Sequence, residues 1–280
     1  MPAHPFDYDE FVARSRAERR RLVELERRED SVLIRLSDPE RLNALSGPLT
    51  VQLLDALREA AADPTLRCVI LTGADPAFSA GGDLRMMLET AHPMVDQSDE
   101  GATGAWRWIR HQFGGAARAI AGSDKVFIAA VNGAAVGVGL ALVLACDLVL
   151  VSERARFVTA FARIGLVPEV GTSWFLTRRL GLQRAFELFL SGRHLTGREI
   201  FELGLANELV PHAELLERAR AWCLRVSAVA PHAVAMAKPL LRHAADLTWE
   251  QAIAMEEFAE PMCFTTRAHR EAVRALLERR

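Results

Sequence analysis

The sequence predicts an α/β fold in which short apolar strands alternate with small-residue turns and helices. Two apolar runs typical of buried strands, CVILTG at 68–73 and VFIAAVNG at 126–133, each come before a glycine-containing turn. From Ser173 onward, helical patterns dominate and are separated by glycine or proline. Short strands followed by helices along one chain indicate a layered α/β architecture.

The composition fits one continuous folded unit and argues against several classes of function. The chain has 280 residues, 50% of them hydrophobic, and a mean hydropathy of +0.09, which suffices for one large core. The net charge of −2 does not provide the strongly basic surface that nucleic-acid binding needs. We therefore expect no nucleic-acid partner.

Neither a membrane anchor nor a metal centre is expected from the residue pattern. The most apolar run, 131–151, is interrupted by Asn132, three glycines and Asp147, unlike a membrane span of about 20 apolar residues. The N-terminus lacks the apolar core of a signal peptide. The four cysteines lie far apart without CxxC spacing, so we expect buried free thiols rather than a metal site. Together these features predict a cytoplasmic protein.

The first elements along the chain are an extension, a hairpin and a helix. Residues 1–21 are charged, with five arginines among 14–21, and are interpreted as a solvated helix or a partly disordered arm. The runs LVELERRED and SVLIRLSD, beginning at Leu22, predict a β-hairpin. A helix is predicted next, with Ser46 as its N-cap and Pro48 in its first turn.

The middle of the chain, from Arg85 to Gly122, combines methionines with aromatic side chains. Such a stripe is interpreted in two ways, as ordinary core or as the wall of a binding pocket. After the second glycine turn, DLVLVSE and ARFVTAF predict two further strands. The helical patterns that follow lack a linker between them, so they belong to the same domain.

Two small-residue turns, Ser79–Gly82 and Gly137–Gly139, are the candidate functional elements. A glycine turn that leads into a helix leaves backbone N–H groups without acceptors, and such groups attract anionic oxygens. Two turns facing one point could hold a developing oxyanion, at about 3 to 4 kcal/mol per donor. Either turn alone is more often simple turn chemistry, so only the pair supports this interpretation.

The two turns, with RLNAL at 41–45 upstream and GLVPE at 165–169 downstream, resemble the crotonase family of enoyl-CoA hydratases and isomerases. The resemblance extends over roughly residues 22–280. It implies a crotonase (ClpP-like) fold, with a core of repeated ββα units at 22–210 and a helical C-terminal subdomain at 211–280. It also implies acyl-CoA thioester substrates and a homotrimer or a hexamer formed by two trimers. Coenzyme A is then part of the substrate, and no separate cofactor is expected.

The resemblance also implies which residues form the site. The oxyanion hole would consist of the backbone N–H groups of Ala80 and Val138. Contacts with coenzyme A and the substrate would come from Arg41, Leu42, Ala80, Gly81, Gly82, Asp83 and Gly137. Val138 departs from the glycine triplet of the family, but a backbone donor survives this change.

The acid–base residues depart further from the family pattern. Ala141 and Phe161 occupy the two positions at which a typical hydratase carries glutamates, and neither can transfer a proton. Glu169 matches the single catalytic acid of some isomerases of the family, including Δ3,Δ2-enoyl-CoA isomerases and, as aspartate, the ring-epoxide isomerase of phenylacetate breakdown. Its other interpretation is a carboxylate that stabilises the start of a helix.

One carboxylate suits isomerisation, because the same group can take a proton from the alpha carbon and return it at the gamma carbon. The sequence therefore favours an enoyl-CoA isomerase with Glu169 as its catalytic residue. Two alternatives stay open: a hydratase with a non-standard site, and a homologue that binds acyl-CoA or a partner without turnover.

Overall fold

The computed structural model describes residues 7–278, which contain two β-sheets surrounded by helices. The strands are β1 (Val23–Arg27), β2 (Ser31–Leu36), β3 (Cys68–Gly73), β4 (Ala77–Ser79), β5 (Val126–Val131), β6 (Ala134–Val136), β7 (Leu148–Ser152), β8 (Arg156–Val158), β9 (Leu195–Thr196) and β10 (Glu208–Val210). The larger sheet has the order β1-β2-β3-β5-β7-β10 and is parallel except for the β1–β2 pair. The smaller sheet has the order β4-β6-β8-β9, with β9 antiparallel.

Fourteen α-helices lie within the described residues. They are α1 (Tyr8–Arg16), α2 (Gly47–Ala62), α3 (Leu84–Met86), α4 (His92–Gln97), α5 (Ala102–Trp108), α6 (Gly114–Ala121), α7 (Val138–Ala145), α8 (Thr172–Leu180), α9 (Leu182–Ser191), α10 (Gly197–Glu202), α11 (Leu215–Ser227), α12 (Pro231–His243), α13 (Trp249–Phe264) and α14 (Arg267–Glu278). Two π-helical segments, Met87–Ala91 and Ile109–Phe113, connect α3 to α4 and α5 to α6.

The predicted ββα repeat is visible in the strand order. The pairs β3–β4, β5–β6 and β7–β8 each place one strand in the larger sheet and the next in the smaller sheet, before the chain turns into helices. Because successive units stack, β4 and β6 become parallel neighbours. The turns that follow these two strands therefore lie at the same edge.

The hairpin and the first long helix agree with the sequence prediction. Val23 of β1 pairs with Leu36 of β2 in an antiparallel register. The Ser46 hydroxyl accepts a hydrogen bond from the Leu49 N–H at 3.4 Å, which caps α2. This cap satisfies one of the four N–H groups that a helix start leaves without acceptors.

The N-terminal extension contains a helix, which was one of its two interpretations, but this helix is not simply solvated. Within it, α1 packs against α2 and buries Tyr8 and Ser15. The charge of the segment gave no sign of this, because its arginines face solvent while Tyr8 lies underneath. Residues 1–6 of the predicted extension lie outside the described part of the chain.

After β10 the described chain is helical, and these helices differ in how they attach to the core. Helix α11 covers one face of the larger sheet, where Leu215 and Cys223 pack with Ile128. Helices α13 and α14 bury no residue in the single chain. Between residues 7 and 278, no helix is both long and apolar enough to cross a membrane. The domain boundaries at 21 and 210 stay predictions.

Candidate active site

The two glycine turns lie directly against each other. Ser79, at the end of β4, is paired with Ala135 of β6. A Cβ atom on Gly81 would lie 2.6 Å from the carbonyl oxygen of Val136, and one on Gly139 would lie 2.8 Å from the Ser79 Cβ. Both distances are too short for a real side chain, so the close approach requires glycine at these positions. Gly81 also has a φ of +88°, which favours glycine.

The two predicted oxyanion donors differ in their surroundings. Val138 is the first residue of α7, so its N–H has no acceptor within its own helix. The N–H of Ala80, in contrast, donates to the carbonyl oxygen of Leu42 at 2.9 Å. A substrate oxygen therefore reaches the Ala80 donor only by sharing or replacing this bond. The oxyanion role of both residues stays a prediction.

The loop at 41–45 is fastened to the first glycine turn through Asn43, which is fully buried. Its side-chain amide donates to the carbonyl oxygens of Ala74 and Ala77, at 2.7 Å each. Its own carbonyl oxygen accepts from the Ser79 hydroxyl at 2.8 Å. Asn43 thus holds the backbone of Leu42 beside the turn, while the Leu42 side chain is exposed.

Two of the residues predicted to contact coenzyme A interact with each other. The Asp83 carboxylate accepts hydrogen bonds from the N–H groups of Arg85 and Met86, at 2.8 and 3.2 Å, and so caps α3. The Arg41 guanidinium lies 3.5 Å from the same carboxylate. Asp83 therefore fixes the end of the glycine turn, while Arg41 stays near it with about half of its side chain exposed.

An apolar cavity of about 370 Å³ opens beside the first glycine turn. Its wall comes mainly from the methionine- and aromatic-rich segment, with Met87 closest to the turn: a Cβ on Gly82 would lie 2.7 Å from the Met87 Cε. Both π-helical segments contribute to the wall. Such segments occur often at functional sites. The structure therefore supports the pocket-wall interpretation of residues 85–122.

Glu169 lines the same cavity. Burial raises the pKa of its carboxyl group to about 7, because an apolar surrounding disfavours the charged form. Among residues 7–278, its carboxylate has no hydrogen-bonding or ion-pair partner. A group with this pKa exists in both protonation states near neutral pH, as a proton carrier requires.

The turn after Glu169 holds the backbone in an unusual conformation. The carbonyl oxygen of Glu169 accepts from the Thr172 N–H at 3.0 Å as α8 begins. Val170 has a φ of +57°, which a β-branched residue rarely adopts and which costs about 1 to 3 kcal/mol. The surrounding fold therefore constrains the residue next to the candidate catalytic carboxylate.

The two positions that carry glutamates in typical hydratases are buried and apolar. Ala141 is fully buried in α7, and Phe161 is only 3% exposed. A Cβ on Gly137 would lie 3.7 Å from the Phe161 ring, so this ring faces the second glycine turn. Gly137 itself has a φ of +52°. The second glycine turn thus faces the apolar ring of Phe161, which cannot carry a proton.

Two tertiary contacts, one at the cavity and one elsewhere in the fold, were missed by the sequence analysis. Phe11, from the N-terminal extension, lines the cavity. Lys238 of α12 binds the Asp147 carboxylate at 2.8 Å and lies 8% exposed. Neither has a local sequence signal, since each depends on contacts between distant segments. In the part of the chain that is described, no cluster of three or more His, Cys, Asp or Glu residues could hold a metal ion.

Comparison with known proteins gives a consistent family. Residues 26–280 match the family described as enoyl-CoA hydratase/isomerase. The chain is 30% identical over 245 residues to 1,2-epoxyphenylacetyl-CoA isomerase of Escherichia coli, with 88% of this chain and 91% of that protein covered. It is also 30% identical over 256 residues to 2,3-dehydroadipyl-CoA hydratase of the same organism, with 91% and 94% covered.

The solved structures agree with the sequence comparison. The crystal structure of enoyl-CoA hydratase from Bacillus anthracis matches with a TM-score of 0.84 and 27% identity, covering 93% of this chain and 97% of that one. The architecture of repeated ββα units with a helical C-terminal region is therefore the crotonase fold. The chain belongs to the enoyl-CoA hydratase/isomerase family.

Proposed function

We propose that the protein is an enoyl-CoA isomerase that moves the double bond of an acyl-CoA thioester with one carboxylate, Glu169. The observation that carries this proposal is the position of Glu169 in the apolar cavity, with a pKa raised to about 7. The burial of Ala141 and Phe161 supports it further. With these two positions apolar, Glu169 is the carboxylate left at a position that serves catalysis in the family.

In the proposed reaction, ionised Glu169 takes a proton from the alpha carbon of a 3-enoyl thioester. The electron pair of that C–H bond moves toward the thioester carbonyl and gives a dienolate. The carboxylic acid then returns the proton to the gamma carbon, and the double bond moves from the beta–gamma to the alpha–beta position. One residue completes both transfers, so protons and electrons balance without a cofactor.

The dienolate needs donors at the thioester oxygen, and we assign this role to the N–H groups of Val138 and Ala80. The Val138 N–H is available at the start of α7. The Ala80 N–H must exchange its bond with Leu42. Such donors typically contribute about 3 to 4 kcal/mol each to transition-state stabilisation. Arg41, Leu42, Gly81, Gly82, Asp83 and Gly137 surround these donors and are the proposed contacts of the coenzyme A portion.

A hydratase with a non-standard site is the second candidate. The similarity to 2,3-dehydroadipyl-CoA hydratase of Escherichia coli favours it, since that protein is as similar to this chain as the named isomerase is. Hydration must activate a water and handle the alpha proton, usually with two groups. A homologue that binds acyl-CoA without turnover is the third candidate.

The decisive experiment compares Glu169→Gln with Glu89→Gln, in which the same chemical change is made at an exposed position of the Met87–Ala91 segment. Glutamine keeps the volume of Glu169 but cannot accept the alpha proton. Isomerisation of a 3-enoyl-CoA should fall by about 10² to 10⁴ in Glu169→Gln and stay near the parent rate in Glu89→Gln. Solvent-deuterium exchange at the alpha carbon should fall in parallel.

Assays with 3-enoyl-CoA and crotonyl-CoA, together with acyl-CoA binding, separate the three candidate functions. An isomerase converts 3-enoyl-CoA and hydrates crotonyl-CoA only slowly. Fast hydration of crotonyl-CoA by the parent protein would favour the hydratase. Acyl-CoA binding without turnover or alpha-proton exchange would favour the non-catalytic homologue. Unchanged isomerisation in folded Glu169→Gln would remove Glu169 from the mechanism.

We also propose that the protein forms a homotrimer, alone or paired into a hexamer. Helices α13 and α14 bury no residue in the single chain. They expose large apolar side chains, among them Trp249, Phe258 and Leu276. Exposed apolar surface of this extent marks an interaction site. Sedimentation analysis at several protein concentrations tests the assembly.

A further inference from the structure

Helix α1 reaches the cavity through one aromatic side chain. The Phe11 ring lines the cavity together with Trp108, and the two ring centroids lie 4.8 Å apart with their planes tilted by 52°. A Cβ added to Gly47 would lie 2.7 Å from the Phe11 Cζ. The ring is therefore close both to the indole of Trp108 and to the glycine at the start of α2.

The rest of α1 is anchored well enough to keep this ring in place. The Tyr8 hydroxyl accepts a hydrogen bond from the Gln112 amide at 2.9 Å in a buried contact. The Arg107 guanidinium lies 4.3 Å from the centre of the Tyr8 ring and 3.0 Å from the Asp9 carboxylate. Gln112 belongs to the Ile109–Phe113 segment, which itself lines the cavity. Helix α1 and the cavity wall are thus directly connected.

Helix α1 lies outside the part of the chain that matches the family, which begins at residue 26. Phe11 is therefore a cavity-lining group that lies outside the residues matched by the family model. Most of the other side chains that line the cavity are apolar, including Met94 and Phe113, and the polar ones are Thr90, His92 and Glu169. An acyl tail that enters from the Glu169 side therefore meets a mainly apolar wall.

We propose that Phe11 is a specificity-determining residue whose ring closes the acyl cavity and limits the length of the acyl group that binds. The proposal rests on the proposed function only in that the cavity receives the acyl portion of a thioester. It assigns to the N-terminal helix a role in substrate selection. The ligand class is an acyl-CoA with an apolar tail that ends at the Phe11 ring.

The test measures dissociation constants for saturated straight-chain acyl-CoAs of increasing length, by calorimetry on the full chain. While the tail still gains apolar contact, each added methylene should tighten binding about four-fold. In the parent protein this gain should stop at a chain length set by the cavity. In Phe11→Ala the gain should continue over further methylenes, and in Phe11→Trp it should stop earlier.

Val12→Ala is the matched control, because Val12 packs against the core from the same helix without lining the cavity. It should leave the limiting length unchanged. Opposite shifts in Phe11→Ala and Phe11→Trp would support the proposal. An unchanged limit in both folded variants, or an equal shift in Val12→Ala, would overturn it.

Saturated acyl-CoAs do not turn over, so this result is independent of the isomerase proposal. If Phe11→Ala loses the length limit while Glu169→Gln isomerises normally, the proposed mechanism is wrong and the proposed role of Phe11 holds. If Phe11→Ala keeps the length limit while Glu169→Gln loses isomerisation, the mechanism holds and the role of Phe11 is wrong.

Discussion

The burial of Glu169 predicts a pH dependence of stability that Glu169→Gln should abolish. The carboxyl group has a pKa of about 7 in the folded chain, compared with an ordinary 4.5. The folded state therefore binds the proton more tightly than the unfolded state between these values. Its contribution to stability is fully present below pH 4.5 and is lost as the pH rises through 7.

The size of the effect follows from the pKa difference. At about 1.4 kcal/mol per pH unit, a rise from 4.5 to about 7 corresponds to about 3 kcal/mol. This is an upper bound, because Glu169 keeps partial contact with solvent. Between pH 5 and pH 8.5, the stability of Glu169→Gln relative to the parent should therefore increase, by at most about 2.5 kcal/mol.

Denaturant unfolding at several pH values, at one fixed protein concentration, measures this difference. Fixed concentration matters because subunit association changes apparent stability. Glu89→Gln serves as the control, since this exposed glutamate should give a nearly constant difference across the range. If the Glu169→Gln difference were equally flat, desolvation of the carboxylate would not be the cause of its proton affinity.

Two further predictions concern a backbone donor and a buried ion pair. Val138→Pro should lower the turnover number by about 10² to 10³ in a folded protein, because proline lacks an N–H yet fits the first helical position. Val138→Ala keeps the donor and should retain activity, so equal turnover in both variants would exclude this donor. Lys238→Met should cost about 1 to 3 kcal/mol of unfolding free energy, because Asp147 loses one of its two cationic partners and keeps the other, Arg242. Loss of the exposed Arg267–Glu271 pair in Arg267→Met should cost under about 1 kcal/mol, and an equal loss in both variants would contradict the argument.

Local signals in the sequence identified much of the fold. The hairpin follows from an alternating pattern interrupted by turn residues, and the start of α2 follows from Ser46 with Pro48. The hairpin and the helix start depend only on residues within a few positions of each other, so the sequence pattern is enough to predict them. The ββα repeat, in contrast, was expected from the family resemblance and not from local signals.

The features that were missed depend on contacts between distant segments. Nothing near Ala80 in the sequence indicates that its N–H binds Leu42, because that bond exists only after the loop has folded back. Phe11 stands among charged residues in the sequence, so its packing against Trp108 in the folded chain has no local signal. For Glu169, an apolar pocket that disfavours the charged form was expected, but the size of the pKa shift depends on the folded cavity, since its cause is desolvation rather than a neighbouring charge.

The close contact of the two glycine turns has a consequence for how sequence variation in this protein is interpreted. The proposed donors belong to the main chain, so many side chains at Ala80 could leave the chemistry unaltered. Gly81 and Gly139 offer no donor in this proposal, yet any added carbon would push against Val136 or Ser79. In a saturation screen around the oxyanion hole, the least tolerant positions would therefore be Gly81 and Gly139, each one residue away from a proposed donor. Glu169, which acts through its side chain, would be sensitive at its own position.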